Sequence, residues 1–433
     1  MKQSCQTQFV NYRKSFPIFH YDKYSFEIKP NEIAMQFHYH INEEIVFTPQ
    51  ISLNCGKYAV KNLSRKQIEG IVFHIGLIEL ISYWKCTCSP IVYIHPCRLN
   101  TEQQEWWKKL YWKGLGEFFY RNAIYTTYTD FLQFHFSNAA TDTTQFFYLR
   151  VPENNSVIVP LGGGKDSVVT LEHLRKKQEV IPFIINPRGA TRECARIAGF
   201  PNDEDIVILH RTIDKKLLDL NAAGYLNGHT PFSAMLAFYS LLVSTATGIR
   251  AVALSNESSA NEPTIPGTDI NHQYSKSEEF ELNFRTYVKK YIGDVNHYYS
   301  YLRPYKEIEI AKFFSQYPQY FSVFKSCNAG SKTDSWCCNC PKCLFAYIIL
   351  SPFIDDDTMK HIFGEDLLDK PSLQTYFDEL TGVAENKPFE CVGTISEVQE
   401  ALQMISESRK DKYLIRHYVA QRDTIAKKFD KTF

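Results

Sequence analysis

Eleven residues, Val157-Ile-Val-Pro-Leu-Gly-Gly-Gly-Lys-Asp-Ser167, join a β-branched run to a glycine triplet and then to a stretch free of Gly and Pro as far as Lys177. The run Val157–Leu161 predicts a buried strand, and the stretch from Lys165 predicts a helix. Glycine lets backbone N–H groups approach an anion without a Cβ in the way. A helix N-terminus adds unpaired N–H donors and a partial positive charge. Strand, loop and helix together predict a phosphate cradle formed by Gly162, Gly163, Gly164, Lys165, Asp166 and Ser167. Lys165 is placed either to neutralise phosphate charge or to cap the loop. The spacing is neither Walker A nor GxGxxG.

Downstream, strand and helix patterns alternate. Val180–Ile185, 205–209 and Arg250–Ser255 read as strands; Thr191–Ala198 and 231–247 read as helices. Such alternation predicts a parallel sheet that binds ligands at the carboxyl ends of its strands. Polar residues gather just past those ends: Asn186-Pro-Arg188, His210-Arg211 and Ser255-Asn-Glu257. Arg188 suits either an anion or a surface ion pair. The loop from Leu254 to Ser277 lacks apolar periodicity and is dense in side chains able to bind hydroxyls, carboxylates and magnesium, which favours a functional loop. Within it Glu257 and Glu262 are candidates for Mg²⁺ or general-base work, His272 for acid–base work, and Lys276 for a phosphate or carboxylate.

Residues 1–150 read as a separate α+β domain, with a strand meander over 19–47 and helices over 67–85 and 101–120. The aromatic stripe of the second helix reads as core. Glu79, Lys85 and Glu117 stand among apolar neighbours, where a charge is either paired or functional. A linker over 138–155 leads into a nucleotide-binding domain over 151–325. A Cys-rich, mostly helical region follows over 326–433. There, Cys327, Cys337, Cys340 and Cys343 have the spacing of a tetrahedral zinc site, with Cys338 left over. The end of the chain, from Arg409, holds eight Lys or Arg against three Asp and reads as a solvated helical face.

Formal net charge is zero, which argues against nucleic acid as the main partner. The uncharged stretch 228–249 carries enough Ser, Thr and His to predict a buried helix and not a membrane span. The start Met1-Lys-Gln-Ser-Cys lacks a signal peptide's apolar segment. Twelve cysteines in 433 residues are too sparse for a disulfide scaffold, so the expected location is the reducing cytoplasm.

The loop resembles the PP-loop, Ser-Gly-Gly-x-Asp-Ser, of enzymes that cleave ATP to AMP and pyrophosphate. Gly163, Gly164, Asp166 and Ser167 match; Gly162 stands where the first serine would be. The resemblance implies an α/β fold of the adenine nucleotide alpha hydrolase-like class. The cysteine spacing is similar to that of 7-cyano-7-deazaguanine synthase. That similarity keeps open a ligase or amidotransferase acting on a nucleobase or tRNA, and the Gly162 departure keeps open a catalytically silent nucleotide binder.

Further blocks are Gly76-Leu-Ile-Glu-Leu-Ile-Ser-Tyr-Trp-Lys85, Lys113-Gly-Leu-Gly-Glu-Phe-Phe-Tyr-Arg-Asn122, Asn227-Gly-His-Thr-Pro-Phe-Ser-Ala234 and Cys340-Pro-Lys-Cys343. With the PP-loop and the 255–262 and 271–277 stretches, they resemble the UDP-N-acetylmuramoyl-L-alanyl-L-glutamate epimerases of bacterial wall synthesis. This implies ATP, Mg²⁺ and a UDP-MurNAc-dipeptide as the small-molecule partners, beside the structural Zn²⁺ that the cysteine spacing predicts. It implies that Asp166 helps hold Mg²⁺, and that Glu257, His272 or Lys276 transfers the proton or clamps substrate. Arg188, His229, Thr230, Asn256, Glu262 and Ser275 are the implied substrate contacts.

Overall fold

Val157, Ile158 and Val159 are fully buried in the strand Ser156–Pro160. A strand buried on both faces needs this continuous apolar run. Glu179–Ile185 and then Val207–Thr212 pair beyond one of its edges, and Ala251–Leu254 and His297–Ser300 beyond the other, all parallel. The computed structural model describes residues 4–60 and 62–429, with side chains as far as Gln421.

The sheet continues past this parallel half. Val207–Thr212 pairs antiparallel with Gln50–Asn54, setting Arg211 opposite Ile51. Glu32–His40, Ile18–Ile28, Ile91–Ile94 and Gln133–Phe136 follow in that order, giving an 11-stranded mixed sheet once Val46–Phe47 is included. The N-terminal meander therefore shares one hydrogen-bonded sheet with the parallel half.

Alternation along the strands sorts the core into two layers. Ile158, Ile181 and Phe183 join a cluster with the helices Arg65–Trp84, Phe232–Thr247 and Glu278–Tyr291. Val157, Val159 and Ile184 face the helices Lys165–Leu174, Glu307–Ser315 and Pro341–Leu350. The helical C-terminal region, including Gln374–Thr381 and Ile395–Ile405, packs onto that second layer. The sequence pattern of one helix over 101–120 resolves into two, Thr101–Gly114 and Gly116–Arg121. Helix packing is the reason Gly114 is small: a Cβ there would lie 2.8 Å from Pro231.

The uncharged stretch forms the helix Phe232–Thr247, buried against the sheet. Among the described residues no helix is long and apolar enough to cross a membrane. In the basic end, Arg409 is buried and paired with Asp356 at 2.6 Å, and Lys412 pairs with Asp366 at 2.9 Å. The side chains beyond Gln421, which include four of the eight Lys or Arg of that end, lie outside the described residues.

Each charge flagged among apolar neighbours has a partner. Glu79, fully buried, accepts from Arg211 Nε at 2.8 and 3.0 Å and from the Tyr239 hydroxyl. Burial alone would pull the Arg211 guanidinium down, but the Glu79 carboxylate outweighs it and holds the cation charged. Glu79→Gln leaves a buried guanidinium without its counter-charge. We expect it to cost about 3 kcal/mol, seen as a lower urea midpoint at unchanged slope; an unchanged midpoint would show that the pair is not needed.

Candidate active site

A cleft of about 700 Å³ opens where the parallel strands end. Pro160, Leu161, Gly162 and Gly164 line it from the first strand and loop, Ile185, Asn186 and Arg188 from the second, Arg211 from the third, and Leu254, Ser255 and Asn256 from the fourth. Gly163 has φ +82°, and a Cβ on it would come within 3.2 Å of the Thr191 nitrogen, so the turn requires glycine. A Cβ on Gly164 would stand 3.3 Å from that of Ser326, and one on Gly162 would meet nothing within 4 Å. Gly162→Ser is therefore expected to fold normally and to lower the KM for a phosphate-bearing ligand, with ATP as the probe, by about threefold to tenfold, the worth of one hydrogen bond to a charged group. A raised KM, or a loss of stability, would mean the loop has no room for the hydroxyl.

The helix Lys165–Leu174 starts at this loop with no side chain capping its first N–H groups. These donors, the glycine backbone and the orphaned, buried Ser255 hydroxyl fit an anionic ligand. The charge balance agrees. Among the described residues, Arg188, Arg211, Lys276, Lys325 and Lys342 line the cleft against a single carboxylate, Asp166, with Arg211 balanced from behind by the buried Glu79. A second depression, about 620 Å³, lies across the antiparallel strands. It carries Glu27 and Glu32 and no lysine or arginine, which suits no polyphosphate.

Lys165 lies beneath the loop. Its ammonium is 2.5 Å from Asp166 Oδ1 and is also bonded to Glu307, with a side chain only 6% exposed. Burial would lower it, but the Asp166 and Glu307 carboxylates hold it charged. Desolvation pushes the Glu307 carboxyl up, against the pull of Lys165. Asp166 itself is 35% exposed at the cleft. Ser167 also lines the cleft, and its hydroxyl donates to the Gly164 carbonyl at 3.0 Å.

Arg188 donates to the Gly162 and Ser331 carbonyls at 3.3 and 3.2 Å, leaving it directed at the cleft. Asn256 donates to the Ser300 hydroxyl at 3.0 Å. Glu257 is buried, accepts from Ser259 at 2.9 Å, and acts on Lys276 through its charge. Ser275 is buried in the short turn Tyr274–Lys276. Glu262 is not brought to this centre: it is half-exposed and pairs with Lys387 at 3.3 Å. Thr230 accepts from Lys85, which also donates to the Gly228 and His229 carbonyls at 2.5 and 3.1 Å. Burial pulls the Lys85 ammonium down to about 8.

His229 and His272 converge on Glu117, each donating through Nδ1 to Oε2, at 3.0 and 2.5 Å. Burial would raise Glu117, but these two hydrogen bonds hold it far below the usual carboxylate range. Cys391 Sγ lies 3.7 Å from His272 Nε2. Sequence reading flagged Glu117 and His272 separately but had no signal for Cys391, Glu307 or Lys325.

The four cysteine sulfurs lie within 4.8 Å of one another, with Cys327–Cys340 at 4.0 Å and Cys337–Cys343 at 3.7 Å. Four Zn–S bonds of about 2.3 Å in a tetrahedron set sulfurs about 3.8 Å apart, so the group fits one metal ion. Cys338 points elsewhere, to the Phe363 carbonyl at 3.1 Å. The cluster also braces the cleft: Cys327 lines it, and Lys325 N–H donates to the Gly163 carbonyl at 2.8 Å.

Comparison with known proteins adds an independent line. Residues 10–301 match the family described as the MurL N-terminal domain, and residues 323–432 match the MurL C-terminal domain. A UDP-N-acetyl-alpha-D-muramoyl-L-alanyl-L-glutamate epimerase of Salinispora tropica is 35% identical over 340 residues, 77% of this chain and 72% of the relative. Proteins of the same name are 34% identical in Micromonospora sp., over 77% of this chain and 74% of the relative, and 33% identical in Xanthomonas oryzae pv. oryzae, over 77% and 73%. Because the matched stretches take in both the glycine-loop cleft and the cysteine cluster, the chain belongs to the MurL family of UDP-N-acetyl-alpha-D-muramoyl-L-alanyl-L-glutamate epimerases.

Proposed function

We propose that the chain uses ATP and Mg²⁺ to invert the terminal L-Glu of UDP-MurNAc-L-Ala-L-Glu, through a carboxyl adenylate, releasing AMP and pyrophosphate in peptidoglycan precursor synthesis. The cation-rich cleft on the PP-loop is the observation that carries this reading, since five cations against one carboxylate suit a nucleotide beside a nucleotide-sugar dipeptide. The chemistry asks for ATP. A Cα–H beside a free carboxylate is hard to remove, because charge would accumulate on charge. The adenylate turns that carboxylate into a carbonyl able to accept the developing enolate.

The loop N–H groups and the helix N-terminus hold the phosphates, with Arg188 and Lys325 on the flanks. Asp166 is the residue that would hold Mg²⁺, which would supply positive charge to offset that of the phosphate oxygens. Lys165 acts from below, setting the position of Asp166. Lys276, on the cleft wall, clamps the glutamyl carboxyl or takes part in proton transfer with Glu257 or His272. Zinc is the metal we assign to the four cysteines, and the unpaired state of all twelve thiols fits a reducing cytoplasm.

The test is incubation with ATP, Mg²⁺ and UDP-MurNAc-L-Ala-L-Glu, with AMP release followed and the product glutamate resolved by chiral chromatography. AMP together with D-Glu is the expected result. AMP without inversion would replace this reading with the ligase class, and absence of substrate-dependent AMP would remove adenylation of this dipeptide.

A further inference from the structure

His272 bridges two groups: Nδ1 donates to Glu117 Oε2 at 2.5 Å, and Nε2 faces Cys391 Sγ at 3.7 Å. Carboxylate, imidazole and thiol in series is the arrangement that orients a ring and activates a nucleophile or base. Glu117 is itself held from a second side by His229. The segment carrying Cys391 is pinned to the cleft rim, since Asn328, a lining residue, donates to Glu390 Oε2 at 2.7 Å. Lys276 links the two places. It lines the cleft, and its ammonium interacts with both Cys391 and Asp166.

We propose that Cys391, paired with His272, is the thiolate that removes the Cα proton of the adenylated glutamyl residue. This rests on the adenylation reading above. The thiolate lone pair forms an S–H bond as the Cα–H bond breaks, and the C–H electron pair moves into the adenylate carbonyl as an enolate. Water in the open cleft then gives a proton to the opposite face of Cα, which inverts the centre. The hydroxide left behind takes the proton of the Cys391 thiol, which restores the thiolate, and a second water cleaves the adenylate to AMP and the free carboxylate.

The charges around the thiol suit this role. Lys276, His272, Lys342 and Glu390 are the charged groups that act on it. Burial would raise the thiol, but the Lys276 ammonium and the His272 hydrogen bond hold it well below its ordinary value. Burial would likewise lower His272, but its bonds to Cys391 and Glu117 lift it to about 9. Both shifts favour the thiolate–imidazolium form of the pair.

Cys391→Ser is the test, read against wild type in one assay. We expect D-Glu formation to fall at least about a hundredfold, the usual worth of a general base, while dipeptide-dependent AMP release stays within about threefold. D-Glu formation near the wild-type rate, or AMP and D-Glu falling together, would overturn the proposal. Failure of wild type to release AMP would instead remove the adenylation reading, so the two failures are distinct. Labelling decides should the variant not fold. Iodoacetamide is expected to modify Cys391 of the wild-type protein at about pH 6, with substrate protecting it and His272→Gln slowing it at least tenfold. Modification of Cys391 only above about pH 8 would overturn the thiolate assignment.

Discussion

Asp166→Asn is expected to lower dipeptide-dependent AMP formation about a thousandfold, equivalent to ~4 kcal/mol of transition-state stabilisation. Among the described residues Asp166 is the one carboxylate lining a cleft with five cations, so it is the charged oxygen that this wall offers a metal ion. The substitution keeps volume and helix geometry. Lys165 retains its bond to Glu307, and the loss of a negative charge in the first helical turn costs at most about 1 kcal/mol. A folded variant with a melting temperature near wild type is therefore expected. The loss should appear in kcat at saturating ATP and be eased only slightly by more Mg²⁺. Turnover within tenfold of wild type would end the assignment of Mg²⁺ to this residue.

The second large effect concerns the cysteines. The purified protein is expected to hold about one zinc per chain, and Cys343→Ser, at a fully buried ligand position, is expected to lose it. Structural zinc contributes to folding free energy directly, so the melting temperature should fall by roughly 5–10 °C. The consequence reaches the nucleotide. Residues 325–328 run from the Gly163 contact through Cys327 into the cleft wall, so loosening the cluster releases the segment that backs the loop. ATP affinity should drop at least about tenfold, or ~1.4 kcal/mol. Chelation that removes zinc without changing either the melting temperature or ATP affinity would show that the cluster braces nothing.

Local signals in the chain were sufficient for the cradle. A β-branched run, glycines and an uninterrupted helix form within one span of sequence, and they occur as strand Ser156–Pro160, the loop and helix Lys165–Leu174. The same holds for the polar residues past each parallel strand, because strand ends are marked locally: Arg188, Arg211 and Asn256 all line the cleft. The isolated charges Glu79, Lys85 and Glu117 were legible as needing partners, because an unpaired charge in an apolar stretch is costly. Which partners they take was not.

The loop between Leu254 and Ser277 shows the limit. Its composition marked it as functional, yet it has no periodicity to say which way each side chain points. Glu262 turns out to the surface with Lys387, whereas His272, ten residues on, turns in to Glu117. The continuous ladder from Gln133–Phe136 to His297–Ser300 was equally hidden, because strand partners distant in sequence leave no local trace. By itself, then, the sequence determined the strand–glycine loop–helix unit, the four-cysteine spacing and the alternating elements around them, all written within a few residues of one another. Only the tertiary structure decided that Lys165 is buried between Asp166 and Glu307, and that Cys391 meets His272 across 119 residues. Such meetings depend on how whole layers pack, which no short stretch of chain encodes.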